Sequence, residues 1–198
     1  MTGPNTANPR VLGIDPGLEG ALAWVGQDGR LDQIEDMPVV GGKVNATLMA
    51  KLIIGYGRLE CAVVEEQQAF PKRPDGRGQG TVSAFKTGVG FGVIIGVLGA
   101  LEIPTFYVRP AVWKKVLHLP ADKERCRKAA LDRWPNHADL FRFKKNADRA
   151  EAALIAVAWL QSTTRAETLA RKAAPSERPL SRRRLIPRLD LEDSATVD

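Results

Sequence analysis

The chain has 198 residues, 44% of them hydrophobic and 26% charged, with only two Cys. That size and balance suit one α/β domain with a proper core, and they exclude a disulfide framework, a thiolate zinc site and a low-complexity chain. The net charge of +6 is uneven, with net −4 over residues 1–70 and net +9 over residues 71–149; such a basic middle suits a polyanionic partner, or is simply a Lys-rich solvated face. Residues 1–10 are polar, contain Pro4 and Pro9, and read as a disordered lead-in without the basic start and apolar run of a secretory leader. No run approaches the roughly 18 apolar residues of a membrane span. Cys61 and Cys126 lie far apart and fit a reducing, cytoplasmic setting.

Val11, Leu12 and Ile14 predict a short buried strand that Asp15, Pro16 and Gly17 terminate. A carboxylate beside a sheet core needs a partner, so Asp15 is either an Asx-turn residue or a residue held by a cation or metal. Ala21–Val25 and Leu31–Met37 predict two further strands joined through the Asp28-Gly29 turn, which makes the front an antiparallel meander. A short helix is expected from about Asn45 to Gly55, with Leu48, Leu52 and Ile53 on its inner face. Cys61–Val64 reads as a second buried strand, again ending in acid at Glu65 and Glu66.

Pro71–Gly80 is a basic Gly/Pro-rich loop whose Lys72, Arg73 and Arg77 are candidate contacts for a polyanion, with Lys86 beyond it. Ser83 is a candidate cap for the helix that follows. Gly88, Gly92 and Gly96 recur every four residues along one stripe of that helix. Each costs about 1 kcal/mol relative to Ala, so the stripe asks for a close neighbour: the chain's own sheet, a partner subunit or a nucleic-acid backbone. Pro104–Arg109 is a third β-like run, and Pro110 suits the first turn of a helix carrying Trp113, Lys114 and Lys115. Trp113 is a core candidate or, beside two lysines, a stacking surface for DNA. Asp122–Trp134 predicts a charged helix, Pro135–Asn146 a loop, and Ala147–Leu160 a helix apolar on most sides with Asp148 and Glu151 on one face of its start. His118 and His137 lack ligand spacing and are expected to be bystanders. Residues 162–198 are expected to be a helical extension fraying into a disordered tail that is basic at Arg182–Arg184 and acidic at its end.

Three buried elements thus each deliver acid at one end: Asp15, Glu65, and Asp148 with Glu151. Each alone could be a cap or a favourable charge at a helix N-terminus. Brought together, they would repel unless cations joined them, and an all-oxygen set suits Mg²⁺ or Mn²⁺.

The ordered set IDPG, VVEEQQAFP, the Gly-repeat helix, VRPAVWKK, ADKERCRKAALDRWP and NADRAEAALIA resembles the RuvC family of Holliday-junction resolvases, in its phage and bacterial branch. The resemblance spans about Val11 to Leu160. It implies a ribonuclease H-like α/β fold over residues 11–161, with a mixed five-stranded sheet flanked by helices and the fourth strand beside the first. It also implies a homodimer that binds four-way or other branched DNA and nicks two opposed strands with two Mg²⁺ per site, for which Mn²⁺ can substitute. Asp15, Glu65, Asp148 and Glu151 match the family's metal-ligating acids, Glu66 being set aside because strand alternation turns it to the other face. Lys114, or Lys115 beside it, and Lys123 match lysines near the scissile phosphate. Two other classes remain: an actin-like ATPase or sugar-kinase-type phosphotransferase, whose folds also open on a strand with Asp and Gly, and a catalytically silent branched-DNA-binding protein.

Overall fold

In the computed structural model the described residues are 9–67 and 80–173. A five-stranded sheet has the spatial order β3-β2-β1-β6-β7, built from β1 (Arg10–Asp15), β2 (Ala21–Gly26), β3 (Leu31–Asp36), β6 (Leu59–Glu65) and β7 (Thr105–Val108). The first three form the expected antiparallel meander, while β6 runs parallel to β1 and β7 parallel to β6. A small hairpin of β4 (Val39–Val40) and β5 (Lys43–Val44) leads into α1 (Ala46–Gly55). The fold is therefore α/β with a mixed sheet, and the fourth main strand lies beside the first.

Alternation along β1 and β6 sorts their side chains onto two faces. Val11, Cys61 and Val63 join one core cluster with Trp113, Cys126 and the apolar side of α6 (Ala147–Ala173); Leu12, Ile14, Ala62 and Val64 join the other, with Met49, Ile53, Ile94 and Leu98. The parity that puts Val11 and Val63 toward α6 also puts Asp15 and Glu65 there. The first cluster packs under α6, α3 (Pro110–Val116) and α4 (Lys123–Arg133), the second under α1 and α2 (Thr81–Ala100).

The helix ends follow local chemistry. The Asn45 side chain accepts from Leu48 N at 2.9 Å and starts α1. Its buried residues are Met49 and Ile53, whereas Leu48 is exposed, so the inner face is turned by one position from the expected one. Asp122 Oδ1 accepts from the backbone of Glu124 at 2.7 Å and Arg125 at 3.1 Å and starts α4. Helix α2 begins two residues before Ser83, with Gly80 at the cap position and no side-chain cap, so Ser83 sits in its first turn. His118 takes φ 55°, closing α3 through its N–H to Lys115 O at 3.2 Å and Leu119 N–H to Lys114 O at 2.8 Å. Its role is thus in the backbone. Residues 135–146 are not a plain loop: they hold two 3-10 turns and α5 (Ala138–Phe141).

The stripe of Gly88, Gly92 and Gly96 faces solvent, and a Cβ at any of the three would meet nothing within 4 Å. It does not pack on the chain's own sheet, which removes that alternative. By length and composition alone, Val82–Ala100 is also the one helix among the described residues long and apolar enough to cross a membrane. Its Ile94, Val97 and Leu98 are buried against the sheet.

Helix α6 lies unusually close to β1. A Cβ at Gly13 would stand 2.0 Å from Ala152 O and 3.1 Å from Ala156 Cβ, with backbone as the first obstacle. Gly13→Ala must therefore push α6 away from the sheet, and we expect a loss of about 1–3 kcal/mol or more from overpacking. Urea unfolding of the variant checks this; an unchanged midpoint would mean that the helix can shift freely.

Candidate metal centre

The C-terminal ends of β1 and β6 and the first turns of α6 meet at one edge of the sheet. There, ligand oxygens of Asp15, Asp148 and Glu151 all lie within 4.8 Å of one another. Asp15 and Glu151 are buried and Asp148 half-buried. Asp15 Oδ1 is a distant 3.4 Å from Gly17 N, so the Asx-turn interaction is weak and leaves the carboxylate aimed at the other acids. Burial, then the charges of Glu65, Asp148 and Glu151, push the Asp15 pKa up to about 7, against a smaller opposing effect of Lys123.

Glu65 is outside that trio of acids, yet its charge is the strongest of the charges that act on Asp15. Its Oε2 accepts a 2.7 Å hydrogen bond from Trp113 Nε1, and Trp113 is fully buried. The indole therefore belongs to the core and at the same time fixes Glu65, which removes Trp113 as a stacking surface for DNA. Burial raises the Glu65 pKa, while the indole hydrogen bond acts in the opposite direction.

Two lysines hold the acids. Lys114 Nζ lies 2.7 Å from Glu151 Oε1 and forms a largely buried ion pair with it. Lys123 pairs with Asp148 and lies 3.7 Å from Glu151 Oε2. Burial pulls both ammonium pKa values down, but the facing carboxylates more than offset it and both are raised. Lys115 is exposed on another side of α3, beside Arg109, His118 and Gln161 in an open groove, so Lys114 is the residue that faces the acids. Lys86 is exposed on α2. Lys72, Arg73 and Arg77 lie outside the described residues.

A bidentate pair that sequence reading missed joins the site to the far side of the meander. Arg149 Nε and Nη2 donate to Asp36 at 2.5 and 2.6 Å, holding the Asp36 carboxyl below its usual range. Ala21 pairs with Asp15 on one side and Asp36 on the other, so the clamp grips the sheet at the level of the acid cluster. Cys61 and Cys126 are free and buried, and burial first of all pushes both thiols up to about 11, so neither is a reactive or ligating thiolate.

The donor set fits a hard divalent ion: all oxygen, largely desolvated, with a carboxyl that resists ionisation until a cation joins it. Asp15, Asp148 and Glu151 would hold it, with Glu65 at their edge.

A mixed five-stranded sheet flanked by helices, in the order β3-β2-β1-β6-β7, is consistent with a ribonuclease H-like fold. No protein-family model and no curated protein sequence matches the chain. Among solved structures it is similar to Thermus thermophilus RuvC in complex with a Holliday junction substrate, with a TM-score of 0.53 and 19% identity over 78% of this chain and 97% of that one. A second T. thermophilus RuvC structure gives a TM-score of 0.51 at 20% identity over the same shares. The fold is RuvC-like.

Metal-free stability gives a test of the cluster that needs no substrate. Asp15 binds its proton more tightly in the fold, at about 7, than at the ordinary 3.8. The stability this brings is complete below the lower value and is lost as pH rises toward the upper one. In EDTA, the wild-type melting temperature should fall over that window relative to Asp15→Asn, and the variant should be the more stable at about pH 8. Parallel curves for the two proteins would mean that Asp15 is an ordinary exposed carboxylate.

Proposed function

We propose that this chain is a divalent-metal-dependent DNA endonuclease that acts on four-way or other branched DNA. The observation that carries the reading is the convergence of Asp15, Asp148 and Glu151 within 4.8 Å at the edge of a RuvC-like sheet. The junction bound to the T. thermophilus neighbour supports branched DNA as the substrate. Two Mg²⁺ ions, or Mn²⁺, bound among these acids and Glu65 would activate the attacking water and stabilise the leaving oxygen. The chain's own residues prepare that chemistry. Asp15, Asp148 and Glu151 provide converging oxygens, Trp113 holds Oε2 of Glu65 and leaves Oε1 without a hydrogen bond among the described residues, and Lys114 and Lys123 bring two ammonium groups to the acids. The phosphotransferase reading has no second Asp-Gly phosphate loop to support it.

Incubation with labelled four-way junction, fork and duplex DNA tests the proposal. Nicking of branched DNA should require Mg²⁺ or Mn²⁺ and stop in EDTA. Asp15→Asn should lower cleavage by at least a hundredfold while junction affinity stays within a few-fold, because it removes a metal-binding charge and no basic contact. Nicking retained by that variant would return Asp15 to a turn role, and ATP turnover without nicking would favour the phosphotransferase.

We further propose that two copies associate through α2. Its exposed side carries the Gly88, Gly92 and Gly96 stripe together with Val82, Val89 and Phe85, the last 73% exposed. Such a face suits close approach by a second backbone, and two sites related by a twofold axis could nick two symmetry-related strands. Gly92 is exposed, and a Cβ there would meet nothing within 4 Å in the monomer. Gly92→Leu should thus remain folded by circular dichroism, while light scattering shows a monomer and paired nicking becomes single nicking. A normal dimer from this variant would place the interface on another face.

A further inference from the structure

The segment entering α6 has a feature that the acid cluster does not account for. Phe143 is 56% exposed, although an aromatic ring left in water forfeits the stabilisation its burial would bring. Its backbone is firmly held. Phe141, two residues earlier, is fully buried and stacks on Trp134 with ring centroids 5.9 Å apart. Arg127 Nη1 donates to Phe141 O at 2.7 Å and Arg142 O at 3.1 Å, and Asn146 N donates to Phe143 O at 2.9 Å. The ring thus stands out from a fixed platform.

Three cations lie next to it in the chain. Arg142, Lys144 and Lys145 are all exposed, and among the described residues none of them forms an ion pair. The Arg142 guanidinium lies 5.6 Å from the Phe143 ring centroid. Lys144 acts electrostatically on Glu124, the neighbour of Lys123, and Lys145 acts on Asp36, which holds Arg149. Lys123 and Arg149 in turn flank Asp148, one by its ion pair and one in sequence. The platform leads directly into α6 and its acids Asp148 and Glu151, which places it next to the acid cluster along the chain.

A planar apolar ring set among unpaired cations matches a polyanion whose units carry flat faces, which is a nucleic-acid strand. In intact duplex those faces are covered by stacking, so the ring needs a base that has lost a neighbour, as happens at a branch point. We propose that Phe143 is a base-stacking contact that packs on a nucleobase unstacked at the branch beside the scissile phosphate, while Arg142, Lys144 and Lys145 hold the flanking phosphates. This rests on the nuclease reading above and adds to it the residue that recognises the branch.

The test uses a four-way junction carrying 2-aminopurine at positions flanking the branch, bound in EDTA so that cleavage does not intervene. Wild-type protein should change the fluorescence at one such position. Phe143→Ala, which leaves the core untouched and should keep the wild-type melting temperature, should lose that change and bind the junction about tenfold more weakly, whereas Phe143→Trp should retain both. Neutralising Arg142, Lys144 and Lys145 together should flatten the plot of log affinity against log salt by roughly two to three units. If wild type binds and nicks the junction while Phe143→Ala matches it in fluorescence and affinity, the contact is overturned and the nuclease reading stands. If wild type neither binds nor nicks branched DNA, both are overturned.

Discussion

The arrangement depends on how closely α6 can approach β1. Gly13 has no side chain to hold the helix off, and α6 answers with Ala152 and Ala156 at the contact. The result is a strand and a helix almost backbone to backbone, which carries Asp148 and Glu151 down to Asp15. A side chain at this point would collide first with the α6 backbone at Ala152, one residue beyond Glu151. Packing geometry thus comes before electrostatics here: the acids are forced together by a small-residue contact, and the charges are then managed by Lys114, Lys123 and the resistance of Asp15 to ionisation.

Much of this was legible in the sequence because it is local. Strand runs ending in acid, the Asn45 and Asp122 caps, Pro110 at the start of α3 and the alternation that turns Glu65 rather than Glu66 toward the site all follow from residue type and period. What sequence reading missed depends on tertiary partners. Nothing near Trp113 in the chain shows that its indole will meet Glu65, and nothing near Asp36 shows that Arg149 will grip it across more than half the chain. The two lysines of α3 are equivalent by composition; only the docking of that helix on α6 turns Lys114 inward and Lys115 out. The misplaced face of α1 has a simpler origin, since Leu48 and Met49 are both apolar and the packing of the β4–β5 hairpin and α2 decides between them.

Helix α2 shows a different limit. A regular glycine spacing says that something must come close but not what, and its apolar length alone would also suit a lipid bilayer. The position of the helix narrows the choice, because one side is committed to the sheet core while the glycines stand free on another. That two-sided character is what a subunit contact requires and what an isolated surface helix would avoid.

The acids also have an order in time. Asp15 lies on the first strand and Asp148 and Glu151 on the last helix, with every other strand of the main sheet made between them. A chain that has emerged from the ribosome past residue 65 but not to residue 148 holds Asp15 and Glu65 but no converging trio. Long-range closure of this kind also forms late in folding, after the local hairpins. The acid cluster is therefore assembled only once the strands of the main sheet and the start of α6 have been made, and a chain that stops short of α6 carries no converging carboxylates.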